Sequence, residues 1–185
     1  MDSIREGILE VGELSSPDFE FSVDLHRSAW TAGGAGILWG IRDVQPDPKR
    51  PLQAGAEAGI HATEFAFSAE FVPGEPATYR VGIYDVEFWR HPNGRITYSA
   101  DAIAESKCEP PATNRASLKL EMSKSGPKRI LWDADSMNQL VDTLNRNRPA
   151  QYQSNGRLAL INFQGSTTFR GAQIQLLIKG TTNGK

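Results

Sequence analysis

The residues best equipped for chemistry gather in one stretch, Tyr84-Asp85-Val86-Glu87-Phe88-Trp89-Arg90-His91. Asp85 and Glu87 are two apart, so an unbroken strand presents both carboxylates on one face. A carboxylate pair is the equipment of glycoside hydrolysis, one group as acid and the other as base or nucleophile. The same spacing is also common on a solvated strand. Tyr84, Phe88, Trp89 and Tyr98, interleaved with Arg90, His91 and Arg95, offer a second chemistry. Aromatic rings stack on the apolar C–H faces of sugars while polar neighbours meet the hydroxyls. Both parities of this stretch carry aromatics, so one set faces away from the main core, either as a ligand platform or packed under a loop or helix.

Other reactive residues are less suggestive. The sole cysteine, Cys108, lies beside Glu109-Pro110-Pro111 with no second thiol or evident base, and reads as an inert thiol. His26, His61 and His91 are scattered without metal-ligand spacing, so neither a metal nor a cofactor is expected. His26 falls on the polar side of its strand, whereas His61 and His91 flank loops. No Gly-x-Ser-x-Gly, His-Glu-x-x-His, Cys-x-x-Cys or phosphate-binding glycine loop occurs. Gly33-Gly34-Ala35-Gly36 precedes a strand and opens no helix, which argues against a nucleotide site.

The elements that must hold these residues alternate with period two. Phe19, Phe21, Val23 and Leu25 form one such series, with Glu20, Ser22, Asp24 and His26 between them. Ile37, Trp39 and Ile41 follow a turn expected at Ala32 to Gly36, with Trp30 beside it and open to solvent. Phe65, Phe67, Ala69 and Phe71 make a third strand with Glu64 and Glu70 outward, and Tyr79, Val81 and Ile83 a fourth. Pro92-Asn93-Gly94 signals a hairpin into Ile96, Tyr98 and Ala100. Leu118, Leu120 and Met122 turn through Ser125-Gly126-Pro127 to Ile130 and Trp132. Leu158, Leu160, Phe169, Ile174, Leu176 and Ile178 close the chain.

Over residues 136–144 the period changes: Met137, Leu140, Val141 and Leu144 predict one short helix, capped by Asp135 or Ser136, over an edge or end of the sheets. Residues 44–59, rich in proline and then in small residues, predict a long loop. A second irregular stretch spans residues 105–115. The pattern implies an all-β antiparallel sandwich or jelly roll with one short helix, and a closed barrel as the alternative. Its core is expected from Phe21, Val23, Ile37, Trp39, Phe65, Phe67, Val81, Leu120, Leu160 and Ile174.

Bulk properties agree. The 185 residues suit one domain spanning 1–185, with 39% hydrophobic and 23% charged residues. A net charge of −2 supplies no basic field for a nucleic-acid partner. No apolar run reaches the ~18 residues of a membrane span. The N-terminus lacks a signal-peptide pattern, so a cytoplasmic protein and a domain excised from an exported chain are both expected readings. Oligomeric state is not legible.

Three stretches together resemble the 3-keto-disaccharide hydrolase-like domains, which have the concanavalin A-like lectin/glucanase sandwich fold. They are Phe19-Glu20-Phe21-Ser22-Val23 with Gly36-Ile37-Leu38-Trp39-Gly40-Ile41-Arg42; Tyr79-Arg80-Val81-Gly82-Ile83-Tyr84-Asp85; and Gly156-Arg157-Leu158-Ala159-Leu160 with Phe169-Arg170-Gly171-Ala172-Gln173-Ile174. The resemblance implies a jelly roll with carbohydrate chemistry. The chain departs from it where the family strand has Glu and Gln on its polar face, for Arg80 and Gly82 stand there. The Asp85–Glu87 pair is also similar to the acidic strand of sandwich glucanases, Glu-x-Asp-x-x-Glu, but Arg90 replaces the last acid.

Three functions follow as expectations. The first is a non-catalytic, lectin-like module for a carbohydrate or polyol, its ligand held by Arg42, Arg80, Tyr84, Asp85 and Trp89, with the 44–59 loop as a wall. The second is a glycoside-active hydrolase or lyase using Asp85 and Glu87. The third is a protein-interaction scaffold. For the site residues, an ordinary surface ion-pair network is the alternative.

Overall fold

The computed structural model describes residues 7–14, 16–27, 29–30, 33–70, 72–73, 75–147 and 156–177. Ala32, Phe71 and Ile178 lie outside them. Eleven strands and one helix occur among the described residues: β1 (Gly7–Leu14), β2 (Phe19–Arg27), β3 (Gly33–Val44), β4 (Ala58–Glu70), β5 (Thr78–Arg90), β6 (Ile96–Lys107), β7 (Arg115–Ser123), β8 (Gly126–Trp132), β9 (Asp135–Ser136), α1 (Asn138–Asn147), β10 (Gly156–Phe163) and β11 (Thr167–Leu176). They form a six-stranded sheet, β1-β10-β3-β4-β5-β6, and a five-stranded sheet, β11-β2-β7-β8-β9. Each neighbouring pair is antiparallel. Two sheets with free edges make a sandwich, not the closed barrel.

The period-two pattern produces the main core. Phe19, Phe21, Val23 and Leu25 of β2 are buried, as are Ile37, Trp39, Phe65, Phe67, Val81 and Ile83 of the facing sheet. Trp132 stacks on Phe67 with ring centroids 5.2 Å apart, and Trp30 meets Trp132 edge-on at 5.9 Å. Each such pair adds ~0.5–1.5 kcal/mol beyond the area it buries. The solvent-open Trp30 is therefore corrected: the ring is in the core, and its Nε1–H donates to the Thr113 carbonyl at 3.0 Å.

Ile174 is the exception among the expected core residues, at 39% exposed. It pairs with Phe21, but β11 is an edge strand with no neighbour to cover its far side. The expected glycine turn is another correction, since β3 already begins at Gly33. A β-carbon on Gly34 or Gly36 would come within 2.3 or 2.0 Å of a β4 carbonyl oxygen, so glycine permits close strand approach there.

The helix forms, but begins at Asn138. Asp135 and Ser136 do not cap it; they pair with Trp132 and Leu131 as β9. Asp133 (φ 49°) and Ala134 (φ 72°) make the tight turn between β8 and β9. Leu140, Val141 and Leu144 face the core, and α1 packs on β6 and β8, closing that edge.

A buried arginine ties the opposite edge. Arg27 is 1% exposed. Its guanidinium donates to the carbonyls of Ala29, Gly34 and Phe163, to Asn162 Oδ1 and Thr167 Oγ1 at 2.9–3.0 Å, and to the Gln164 carbonyl. It thereby links the end of β2, the start of β3 and the β10–β11 hairpin.

Candidate functional site: the concave face of the six-stranded sheet

Strand β5 pairs with β4 without a register shift from Thr78 to Arg90, so its side chains alternate strictly. Ile83 points into the main core, and with it Asp85, Glu87 and Trp89 share the inward side. Arg80, Gly82, Tyr84, Val86 and Phe88 share the outer side. The register irregularity near here lies between the partners of Ile83 and Tyr84 on β6, so no bulge brings Glu87 or Trp89 round to join Tyr84.

A second shift separates Trp39 from Arg42 on β3, with Gly40 at φ 62°. It moves Ile41 to the outer face and leaves Arg42 opposite His61, which is opposite Glu87. Cross-strand partners share a face. The five residues expected to form one site are therefore divided. Arg42, Asp85 and Trp89 are on the inward side, Arg80 and Tyr84 on the outer.

On the inward side Asp85, Glu87 and Trp89 are engaged by the protein itself, whereas Arg42 is exposed. Asp85 Oδ1 is 2.7 Å from His61 Nε2. Glu87 lies 3.3 Å from Arg50 Nη1 and accepts from Gln53 Nε2 at 3.2 Å, both from the 44–59 loop. Trp89 is 2% exposed and its ring rests on Gly59, so it has no free face for a sugar. Asp85 and Glu87 do share a face, but each carboxylate is matched by a protein partner.

The outer face holds a second apolar cluster: Leu38, Ile41, Ala62, Val86, Phe88, Ala159 and Ile161, with Ile8, Ile60, Tyr84, Tyr98 and Phe163 packed against it. Tyr98 of β6 and Phe163 of β10 are four strand spacings apart, about 19 Å across a flat sheet before their offset along the strands is added. Their rings nevertheless meet at 5.6 Å, and Tyr98 meets Phe88 at 4.8 Å. The sheet must curl, so this face is concave and its middle is roofed by its own aromatics.

Under that roof is a group the sequence reading placed outward without marking it as a candidate. Glu64 points outward as expected, yet is 1% exposed, and accepts from Tyr98 Oη at 2.9 Å. Beside it the Tyr84 ring lies over Gly82 and its hydroxyl donates to Glu105 at 2.8 Å, with Arg80 Nη1 3.6 Å from the same carboxylate. Burial first, then the Glu105 hydrogen bond and charge, and the charge of Glu64, hold the Tyr84 phenol protonated well above the usual tyrosine range.

The concave face stays open at one end. There a cleft of about 530 Å³ has an apolar floor of Ile8, Ile60 and Ile96, with Phe88 buried beneath it. Asp43, Gln45, Glu57 and Arg90 add polar groups around it. Both ends of the 44–59 loop contribute to the lining, and the floor was not foreseen as a site. Among the described residues no group of three His, Cys, Asp or Glu could hold a metal. No helix among them is long and apolar enough to cross a membrane.

No family model and no curated protein matches the chain. The solved structures to which it is similar include sandwiches of the concanavalin A-like kind. A legume lectin-like domain from Entamoeba histolytica is 9% identical over 95% of this chain and 81% of its own, with a TM-score of 0.42. A 1,3-alpha-1,4-beta-D-galactose-4-sulfate-3,6-anhydro-D-galactose 4 galactohydrolase is 11% identical over 86% and 54%, at 0.37. A pseudo beta-1,3-glucanase of Mycobacterium tuberculosis is 12% identical over 93% and 69%, at 0.36. Likenesses this distant decide nothing about the site, and the architecture rests on its own strand order and register.

Proposed function

We propose that this chain is a non-catalytic, lectin-like module for a carbohydrate or similarly hydroxylated ligand, bound at the open end of the concave face. The observation that carries this reading is the cleft itself. Ile60, Ile8 and Ile96, with Phe88 buried beneath them, supply an apolar floor for the C–H face of a sugar ring, and Gln45, Glu57 and Arg90 supply acceptors and donors for its hydroxyls beside Asp43, which Arg157 holds. The hydrolase reading asks for two carboxylates facing a substrate, whereas Asp85 is held by His61 and Glu87 by Arg50 and Gln53. Of the residues first expected to bind, Arg80 and Tyr84 keep a place in this reading, as neighbours farther along the same concave face.

A glycan array tests it. Binding without turnover is expected, reduced about tenfold in Arg90→Ala or Glu57→Gln, the size of one lost charged hydrogen bond. Product release abolished by Asp85→Asn would establish the hydrolase instead. An array silent at every glycan would leave the scaffold reading.

A further inference from the structure

The outer face of the five-stranded sheet, on the opposite side of the molecule from the cleft over Phe88, carries a second polar cleft of about 470 Å³. Two rows of side chains build it. Arg170, Asp24 and Ser117 are cross-strand partners over β11, β2 and β7, and Thr168, His26 and Arg115 form the next row. Partners share a face, so Arg170 and Arg115 stand on a diagonal, two strand spacings across and two residues along, ~12 Å apart at their backbones. Two guanidinium arms can span that distance to one group between them.

Asp133 completes the rim. Its N–H donates to the Ser117 carbonyl at 2.8 Å, which pins the left-handed Asp133-Ala134 turn beside β7. Gly171, at φ 61°, lies against the Asp24 carboxylate. Asp24, His26, Arg115, Asp133 and Arg170 are all exposed cleft-lining residues, and among the described residues none of their side chains makes an ion pair or hydrogen bond. Elsewhere on this surface opposite charges do pair: Lys119 with Glu20, and Arg129 with Glu121. Five unpaired charged or titratable groups around one concavity are therefore a local departure.

We infer that this cleft binds a carboxylate that carries hydroxyl groups, as in a hydroxy acid or an acidic sugar. Arg115 and Arg170 supply forked donors matched to a carboxylate. Asp24 and Asp133 supply acceptors, which a bare anion cannot use and which repel it; hydroxyls turn them into partners. The same two acids disfavour a phosphate dianion over a monoanion. The site is independent of the concave-face reading.

Backbone-amide NMR with three probes tests it: sodium glucuronate, glucose and acetate. Glucuronate is expected to shift Ser117, Asp133 and Gly171 saturably, with glucose and acetate each at least about tenfold weaker. Arg115→Ala and Arg170→Gln should each weaken glucuronate about tenfold and leave core resonances in place. Acetate binding as well as glucuronate, or Arg170→Gln binding unchanged, would overturn the proposal. Glucuronate shifts confined to Ile60 and Phe88 would also overturn it, while leaving the concave-face reading intact.

Discussion

Gly82 and Tyr84 act as one unit on the concave face. A β-carbon on Gly82 would come within 2.4 Å of the Tyr84 hydroxyl, so the glycine is the seat of that ring. The resemblance puts an amide at this position, and its loss is legible in the sequence as a departure; that it makes room for a neighbour's ring is not. Gly82→Ala should displace Tyr84 and break its hydrogen bond to Glu105. The stability change should stay below ~1 kcal/mol, because the displaced group ends a flexible arm. Tyr84, held protonated by burial and by Glu105, should then ionise closer to the ordinary tyrosine range in an ultraviolet titration. A titration identical to that of the parent protein contradicts this. Glu64 escaped notice for a related reason. Alternation places it correctly on the outward side, but outward equals solvated only on a flat sheet, and here Tyr98 and Phe163 close over it.

At the scale of elements, strands and hairpins were readable because period-two burial and turn residues are local signals. The Asn93-Gly94 hairpin forms as expected, with Gly94 at φ 77° and the His91 N–H donating to the Arg95 carbonyl at 2.9 Å. The assembly of a site from several strands was not readable, because one register shift changes which face a residue takes. The shift at Gly40 turns Ile41 outward and Arg42 inward, and the unbroken β4–β5 ladder keeps Trp89 from Tyr84. Arg27 was missed as well, since a strand-end arginine reads as a surface charge until three chain segments converge on it. Burial lowers its pKa, yet its carbonyl and amide acceptors keep it well satisfied. Lysine cannot reproduce the planar fork, so Arg27→Lys should cost about 3 kcal/mol or more in a urea unfolding curve. A change within ~0.5 kcal/mol would show that the fork is dispensable.

For the whole molecule, fold class was legible. A two-layer sandwich follows from the number and alternation of strands, whereas the curl of the larger sheet is a collective property that no single strand encodes. The pH dependence of stability is another global readout. Burial, and then the charge of Glu109, push the Cys108 thiol up to about 11 from 9.0. The unfolded chain therefore releases this proton first. The contribution is constant below about pH 9, and stability falls as pH rises from there toward 11. Native Cys108 should correspondingly alkylate far more slowly at pH 8 than the urea-unfolded chain, because the thiolate is the nucleophile. Equal rates would contradict its burial.

A sugar bound at the open end of the concave face would be seen by isoleucine-methyl NMR with the oligosaccharide that binds best on the array. Saturable shifts are expected at Ile8, Ile60 and Ile96, which line the cleft, with Ile37 and Ile130 of the main core unmoved. Saturable binding of that oligosaccharide that leaves Ile8, Ile60 and Ile96 unmoved would contradict it.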